Sequence, residues 1–277
     1  MHREGSFNTQ RSRKAHVRLI ARHLAEAGFK RLKADNLKPK HVTALVERWK
    51  RDGISIGTLK NRMGALRWVY GKVNKHFLVP RTNAELGIGN RQYVTNENKA
   101  RELTMAFGDV DKIKSPLVRM SLELQRAFGL RREESLKIRP AWADREHKLV
   151  LQGSWTKGGR PREIPIRTPE QRELVDRARV LAGNGSLIPR DKSYINHLRV
   201  YKRQVAAAGF DKLHGLRHAY AQERYAELTG RAAPAAGGKS WKDLTPQEKV
   251  EDGRVRLTIS EELGHGRGEI LRVYVGK

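Results

Sequence analysis

His214-Gly215-Leu216-Arg217-His218, then Leu263-Gly264-His265, then Tyr274 nine residues further on, is the stretch that decides how this chain is read. An arginine three residues after a histidine shares its helical face. Imidazole, guanidinium and phenol gathered in one place suit a phosphodiester attacked by a tyrosine oxygen. A phenol with a pKa near ~10 is a poor nucleophile at neutral pH, so it needs a proton acceptor and cations on the non-bridging oxygens. Working upstream, Gly129-Leu130-Arg131-Arg132-Glu133-Glu134 supplies a second arginine. Trp155-Thr156-Lys157-Gly158-Gly159-Arg160 supplies a lysine. Arg131 and Arg217 can fork onto phosphate oxygens. His214 and His265 can donate to the same phosphate or relay protons. Lys157, on a mobile hairpin, can protonate the leaving oxygen. Arg132 is the alternative to Arg131, and Tyr220 and Tyr225 are the alternatives to Tyr274.

Composition narrows the class. The 277 residues carry 57 Lys+Arg against 30 Asp+Glu, a net charge of +27, with no cysteine. Such an excess points to a polyanionic partner, double-stranded DNA in the first instance. The lack of cysteine excludes disulfides and thiolate metal sites and agrees with a reducing cytoplasm. No apolar run reaches the ~20 residues of a membrane span. His214 and His218 at i, i+4 resemble half of a zinc site, but no Glu or Cys stands at ligand spacing, so no metal or other cofactor is expected.

Apolar periodicity predicts a polar, loose segment over residues 1–10. Helices follow from about Ser12 to Ala27, from Pro39 to before Gly53, and from Ser55 to about Val73. Their outer faces hold Arg18, Arg22, Arg48, Lys60, Arg62 and Arg67, candidates for DNA-backbone contact together with Arg160. The first 90 residues hold 20 Lys+Arg and 6 Asp+Glu, the more densely basic part. Residues 80–98 read as a linker, with the second domain beginning near Thr95. There Ser115-Pro116 starts a helix whose stripe is Leu117, Met120, Leu124 and Phe128. Residues 148–152 and 162–166 flank Gly158-Gly159 as a β-hairpin with left-handed glycines at its tip. Helices are expected over 169–182, 193–208, 214–229 and 257–263, with a last one from about Glu269. Residues 230–256, Ala/Gly/Pro-rich and then charged, read as an insertion.

The order Arg, Lys, His-x-x-Arg, His, Tyr, with the hairpin and the His-to-Tyr spacing, resembles the tyrosine recombinase (phage integrase) family. The resemblance covers roughly residues 95–277 and implies a mainly α (α+β) chain. Residues 1–88 would be a SAM-like helical core-binding domain and 89–98 a linker. Residues 99–277 would be a mixed α/β catalytic domain with a small antiparallel hairpin. It implies a site-specific DNA recombinase or integrase in which Arg131, Lys157, His214, Arg217, His265 and Tyr274 are catalytic. Tyr274 would become joined to a 3′-phosphate, and Glu134 would orient an arginine. His218 is read as a structural hydrogen-bonder. A type IB topoisomerase and an inactive DNA-binding accessory protein are the competing readings. The family also implies a homo-tetramer on DNA, here expected to be a monomer free in solution, in the bacterial cytoplasm with the nucleoid. Only three residues follow Tyr274, so if this is the natural C-terminus the 230–256 segment, anchored by Trp241 and Leu244, is the expected subunit link, with a surface loop that covers the active site as the equal alternative.

Overall fold

The computed structural model describes residues 4–94 and 97–277. The expected domain start at Thr95 lies outside the described residues. Two compact units divide the chain, Met1–Gln92 and Tyr93–Lys277.

The first unit is helical. α1 (Phe7–Glu26) opens on Ser6, whose hydroxyl accepts from the Thr9 amide at 3.3 Å. α2 (Pro39–Arg51) has proline in its first turn, where a missing N–H costs nothing. α3 (Ile56–Lys72) is capped by Ser55. Their apolar stripes meet in one core around Leu45, Trp49, Met63, Leu66 and Tyr70. The Trp49 indole, fully buried, donates to His23 Nδ1 at 2.9 Å.

Two expectations change here. α1 begins at Phe7, not Ser12, because a serine cap and polar residues form its first turn, which leaves no apolar stripe to read. The 80s are packed chain. Val79 and Ile88 are in the core, Arg67 donates to the Pro80 carbonyl and to Asn83 Oδ1, and Arg91 donates to the Gly57 carbonyl.

The second unit is built on α4 (Pro116–Phe128) and α9 (Gly215–Thr229). α4 buries two faces. Met120, Leu124 and Phe128 join the main core, and Val118 and Leu122 join a second core with Ile113, Tyr201, Phe210 and Leu216. A helix apolar on two sides sits inside a domain, not on its surface. α5 (Arg132–Lys137) and α6 (Pro140–Ala143) lead to β1 (Lys148–Leu151), which pairs antiparallel with β2 (Arg162–Pro165) in the register Leu149↔Ile164. Gly158 and Gly159 take φ of +81° and +71° at the tip, as expected. α7 (Pro169–Ala182) and α8 (Tyr194–Ala207) follow.

The 230–256 segment is a correction. α10 (Pro246–Glu262) starts at Pro246, well before Leu257, behind a Thr245–Glu248 capping box. Before Leu257 it buries Asp252 and Arg256 and one apolar residue, Val255, so an apolar stripe could not reveal it. Trp241 is 39% exposed, but Leu244 is only 5% exposed and is no outward anchor. A turn over Gly268–Leu271 leads into α11 (Arg272–Val275), which carries Tyr274. Among the described residues no helix is long and apolar enough to cross a membrane.

Trp49→Phe removes the indole donor and leaves His23 Nδ1 buried without a partner. It should lower stability by about 1–3 kcal/mol, read as a lower denaturant midpoint at unchanged slope.

Candidate active site

Arg217 is the centre. It lies in the first turn of α9 with 1% of its surface exposed. Its Nη1 donates to the Gly129 carbonyl at 2.5 Å, its Nη2 to the Leu263 carbonyl, and its Nε to the Tyr274 hydroxyl at 3.3 Å. Gly129 closes α4 and Leu263 closes α10. The guanidinium therefore sits on the negative ends of two helix dipoles. No carboxylate pairs with it among the described residues. Burial pushes its pKa down to about 10, against the pull of Tyr274, so it stays charged at neutral pH.

Gly129 is required by packing as well as by its left-handed φ of +59°. A Cβ there would stand 2.6 Å from the Tyr220 ring and 2.8 Å from Leu263.

His265 Nε2 lies 3.3 Å from Arg217 Nη2, 3.4 Å from Arg131 Nη2 and 3.3 Å from the Tyr274 hydroxyl. Guanidinium nitrogens only donate, so Nε2 must be the unprotonated nitrogen, with its lone pair turned into the cluster. Burial, then the charges of Arg217 and Arg131, push His265 down to about 4. His214 and His218 pack their rings 5.8 Å and 4.7 Å from the Tyr274 ring. His218 falls to about 4 through burial and the neighbouring His214. His214 also falls to about 4, through the protein crowded around it and through Arg217 and Arg131, although one side of it stays open to solvent. All three imidazoles are therefore neutral at pH 7.

Glu134 holds Arg131 twice, accepting from its backbone N–H and from Nη1, both at 2.7 Å. The opposite side of the carboxylate takes a fork from Arg162, at 3.0 and 2.7 Å. Burial alone would raise Glu134, but the bonds and charge of Arg162, with the charge of Arg131, bring it down to about 2. Arg162 escaped the sequence reading. Its signal was strand alternation, which places it on the buried face with Ile164. Gln222 also escaped; it donates to the Tyr274 carbonyl at 3.1 Å. So did Arg256, which pairs with Asp252 at 2.5 Å and donates to the Gly276 carbonyl at 2.9 Å, fixing the chain just after Tyr274.

The structure thus brings together Arg131, His214, Arg217, His265 and Tyr274, with Glu134 behind Arg131. It does not bring Lys157, which is exposed at the hairpin tip with no bond to the cluster among the described residues. Arg132 is exposed and acts on Tyr194 instead. Tyr220 and Tyr225 are buried and donate to Glu262 and Asp252 at 2.7 and 2.6 Å.

The basic residues of the first unit divide. Arg18 is exposed, and Arg22 stands 3.9 Å from Glu26. Lys60 is half-buried. Arg48 is paired with Glu26 at 2.6 Å, Arg62 lies over the Trp49 ring, and Arg67 is bonded to its own chain. Arg160 is exposed in the second unit, with Nη1 3.3 Å from where a Cβ on Gly266 would stand. Among the described residues no three His, Cys, Asp or Glu are grouped to hold a metal ion.

Arg217 and His265 border the Tyr274 hydroxyl, Arg131 borders His265, and no carboxylate bonds the phenol among the described residues. That is the class of site found where a tyrosine attacks a phosphodiester. The family comparison agrees with it. The phage integrase N-terminal model matches residues 1–79 and the integrase model residues 89–223, and the chain belongs to the phage integrase (tyrosine recombinase) family. His265 and Tyr274 lie beyond both matches and enter the cluster by geometry. Solved structures share the fold at low identity. A lambda integrase dimer bound to a COC′ core site superposes with a TM-score of 0.61 at 15% identity, over 99% of this chain and 73% of that one. The Tn1549 transposon integrase, in complex with circular intermediate DNA, gives 0.56 at 13%, over 99% and 91%. The XerH site-specific recombinase on its palindromic difH substrate gives 0.57 at 18%, over 93% and 72%. No curated protein matches the sequence.

The depressed imidazoles set a pH dependence. His218 and its two neighbours sit at about 4 in the fold against an ordinary value of 6.5. Between those limits the unfolded chain binds more protons, so stability rises with pH there and is lost as pH falls. Glu134, at about 2 against 4.5, adds a further loss below pH 4.5. Thermal melts should therefore show Tm falling from pH 7 to pH 4, with a shallower fall in His218→Asn.

Proposed function

We propose that this chain is a site-specific DNA recombinase that breaks and rejoins strands through Tyr274. The observation that carries the reading is Arg217, a buried charge with no acidic partner among the described residues, whose Nε touches the Tyr274 hydroxyl. Such a group asks for an anion, and a scissile phosphate seated between Arg131 and Arg217 supplies one.

In the reaction the Tyr274 oxygen forms a bond to phosphorus and the bond from phosphorus to the 5′-oxygen breaks. The phenol proton passes to His265 Nε2, the lone pair 3.3 Å away. Bound phosphate places negative charge beside that imidazole and raises its readiness to accept. Arg131, Arg217 and His214 hold the charge that grows on the non-bridging oxygens. The 5′-oxygen leaves with a proton from Lys157, which the Gly158-Gly159 tip lets swing onto bound DNA. The bond energy stays in a phosphotyrosyl ester, so a free 5′-hydroxyl can reverse the step. Residues 1–88 serve as the core-binding domain, 89–98 as linker and 99–277 as the catalytic domain. In the first unit Arg18, Arg22 and Lys60 meet the DNA backbone, while Arg48, Arg62 and Arg67 do so only by giving up contacts within the chain. Assembly into tetramers occurs on DNA.

Wild-type protein incubated with nicked duplexes from a random-sequence library should trap a sequence-dependent covalent adduct. Tyr274→Phe should bind the same duplexes with near-normal affinity and trap none. A sequence-independent adduct would favour a topoisomerase, and an adduct in Tyr274→Phe would move the nucleophile.

Lys157→Ala should slow cleavage by about 10²–10⁴-fold, the usual weight of a general acid. The loss should largely vanish when the bridging 5′-oxygen is replaced by sulfur, which leaves without a proton. Equal losses on both substrates would make Lys157 a DNA-positioning group.

A further inference from the structure

We propose that Arg162 is a positioning residue that keeps the charge of Arg131 available to the scissile phosphate, by taking up the Glu134 carboxylate from the other side. The inference rests on the recombinase reading above and concerns a residue outside its set of groups.

Three observations carry it. First, the carboxylate between the two arginines is shared. Glu134 has 1% of its side chain exposed, Arg162 has 5% and Arg131 has 20%. Oε1 accepts from Arg131 Nη1 at 2.7 Å and from Arg162 Nη1 at 3.0 Å, while Oε2 accepts from the Arg131 backbone and from Arg162 Nη2 at 2.7 Å each. A buried Arg131–Glu134 pair by itself would be neutral, and its field at the phosphate would nearly cancel. Two guanidiniums on one carboxylate leave one net positive charge. Arg131 is the more exposed of the two and points Nη2 toward His265, so that charge is presented to the phosphate.

Second, Arg162 reaches the other arginine's seat. Its Nε donates to the Glu262 carbonyl at 2.8 Å, and the next carbonyl along, that of Leu263, accepts from Arg217. One side chain on β2 therefore joins the supports of both phosphate-facing arginines to the hairpin that carries Lys157.

Third, the backbone yields to it. Gly264 takes a φ of +69°, and a Cβ there would stand 3.0 Å from Arg162 Cδ. The glycine of Leu263-Gly264-His265 lets the chain turn tightly over this guanidinium before His265 enters the cluster.

A buried ion pair can be structural and nothing more, so the test needs a readout that stability does not move. Adduct formation is measured on a nicked duplex captured by the wild-type protein, once with the normal scissile phosphate and once with a methylphosphonate, which carries no charge to neutralise. Arg162→Gln should slow adduct formation about 30-fold or more on phosphate and less than about 3-fold on methylphosphonate, because the lost field matters only to a charged centre. Equal slowing on both substrates would overturn the proposal and leave Arg162 a structural residue. Should Arg162→Gln fail to fold, Glu134→Gln/Arg162→Gln, which leaves no buried unpaired charge, is compared with Glu134→Gln. With the carboxylate neutral, loss of Arg162 should change the phosphate rate by less than about 3-fold. A loss there of about 30-fold or more would overturn the proposal just as directly. Absence of any wild-type adduct would instead overturn the recombinase reading, and this inference with it.

Discussion

The second unit depends on a buried positive charge that meets no carboxylate among the described residues. Arg217 is held by two backbone carbonyls, each the last turn of a helix, and by a phenol. Removing a guanidinium from water is costly, and partial charges at helix ends offset that cost less completely than a full negative charge does. The incomplete compensation leaves positive charge beside the phenol. It also dictates architecture, since α4, α9 and α10 must converge end-on for both carbonyls to reach one fork. Gly129, with its left-handed backbone and crowded surroundings, is the local condition for that meeting.

Around this charge the imidazoles are kept neutral by the same physics. Burial and adjacent guanidiniums disfavour protonation, so His214, His218 and His265 stand well below the ordinary histidine range. For His265 the neutral ring places a lone pair 3.3 Å from the tyrosine oxygen. The carboxylates are kept at a distance. Glu134 lies behind Arg131, Glu262 is engaged by Arg224 and Tyr220, and Asp252 by Arg256 and Tyr225. Negative charge supports the elements that position the pocket and stays off the phenol itself.

The first unit shows that net charge does not translate directly into a binding face. Part of its basic excess is spent inside the fold, with Arg48 on Glu26, Arg62 over Trp49 and Arg67 clamping the Pro80–Asn83 turn. Arg18, exposed along α1, represents the other kind, a charge that remains on the surface.

The sequence by itself determined the helices whose apolar residues recur at helical spacing and the hairpin around Gly158-Gly159, and it named the candidates that the fold gathers near Tyr274, Lys157 excepted. Each of these is written in residue type and local period. Local period alone could not separate Arg131 from Arg132; the choice of Arg131 came from the family resemblance, and the fold turns Arg131 toward His265 and leaves Arg132 exposed. It missed the first turn of α1 and α10 before Leu257, where caps and a buried Asp252–Arg256 pair replace the apolar stripe. It missed Arg162 as well, because an arginine in a strand reads as surface until a carboxylate 28 residues earlier in the chain is brought against it. Those are long-range choices. Which charges pair, which stay uncompensated and which carbonyls point at them depend on helices meeting in space, and only the tertiary structure decided them.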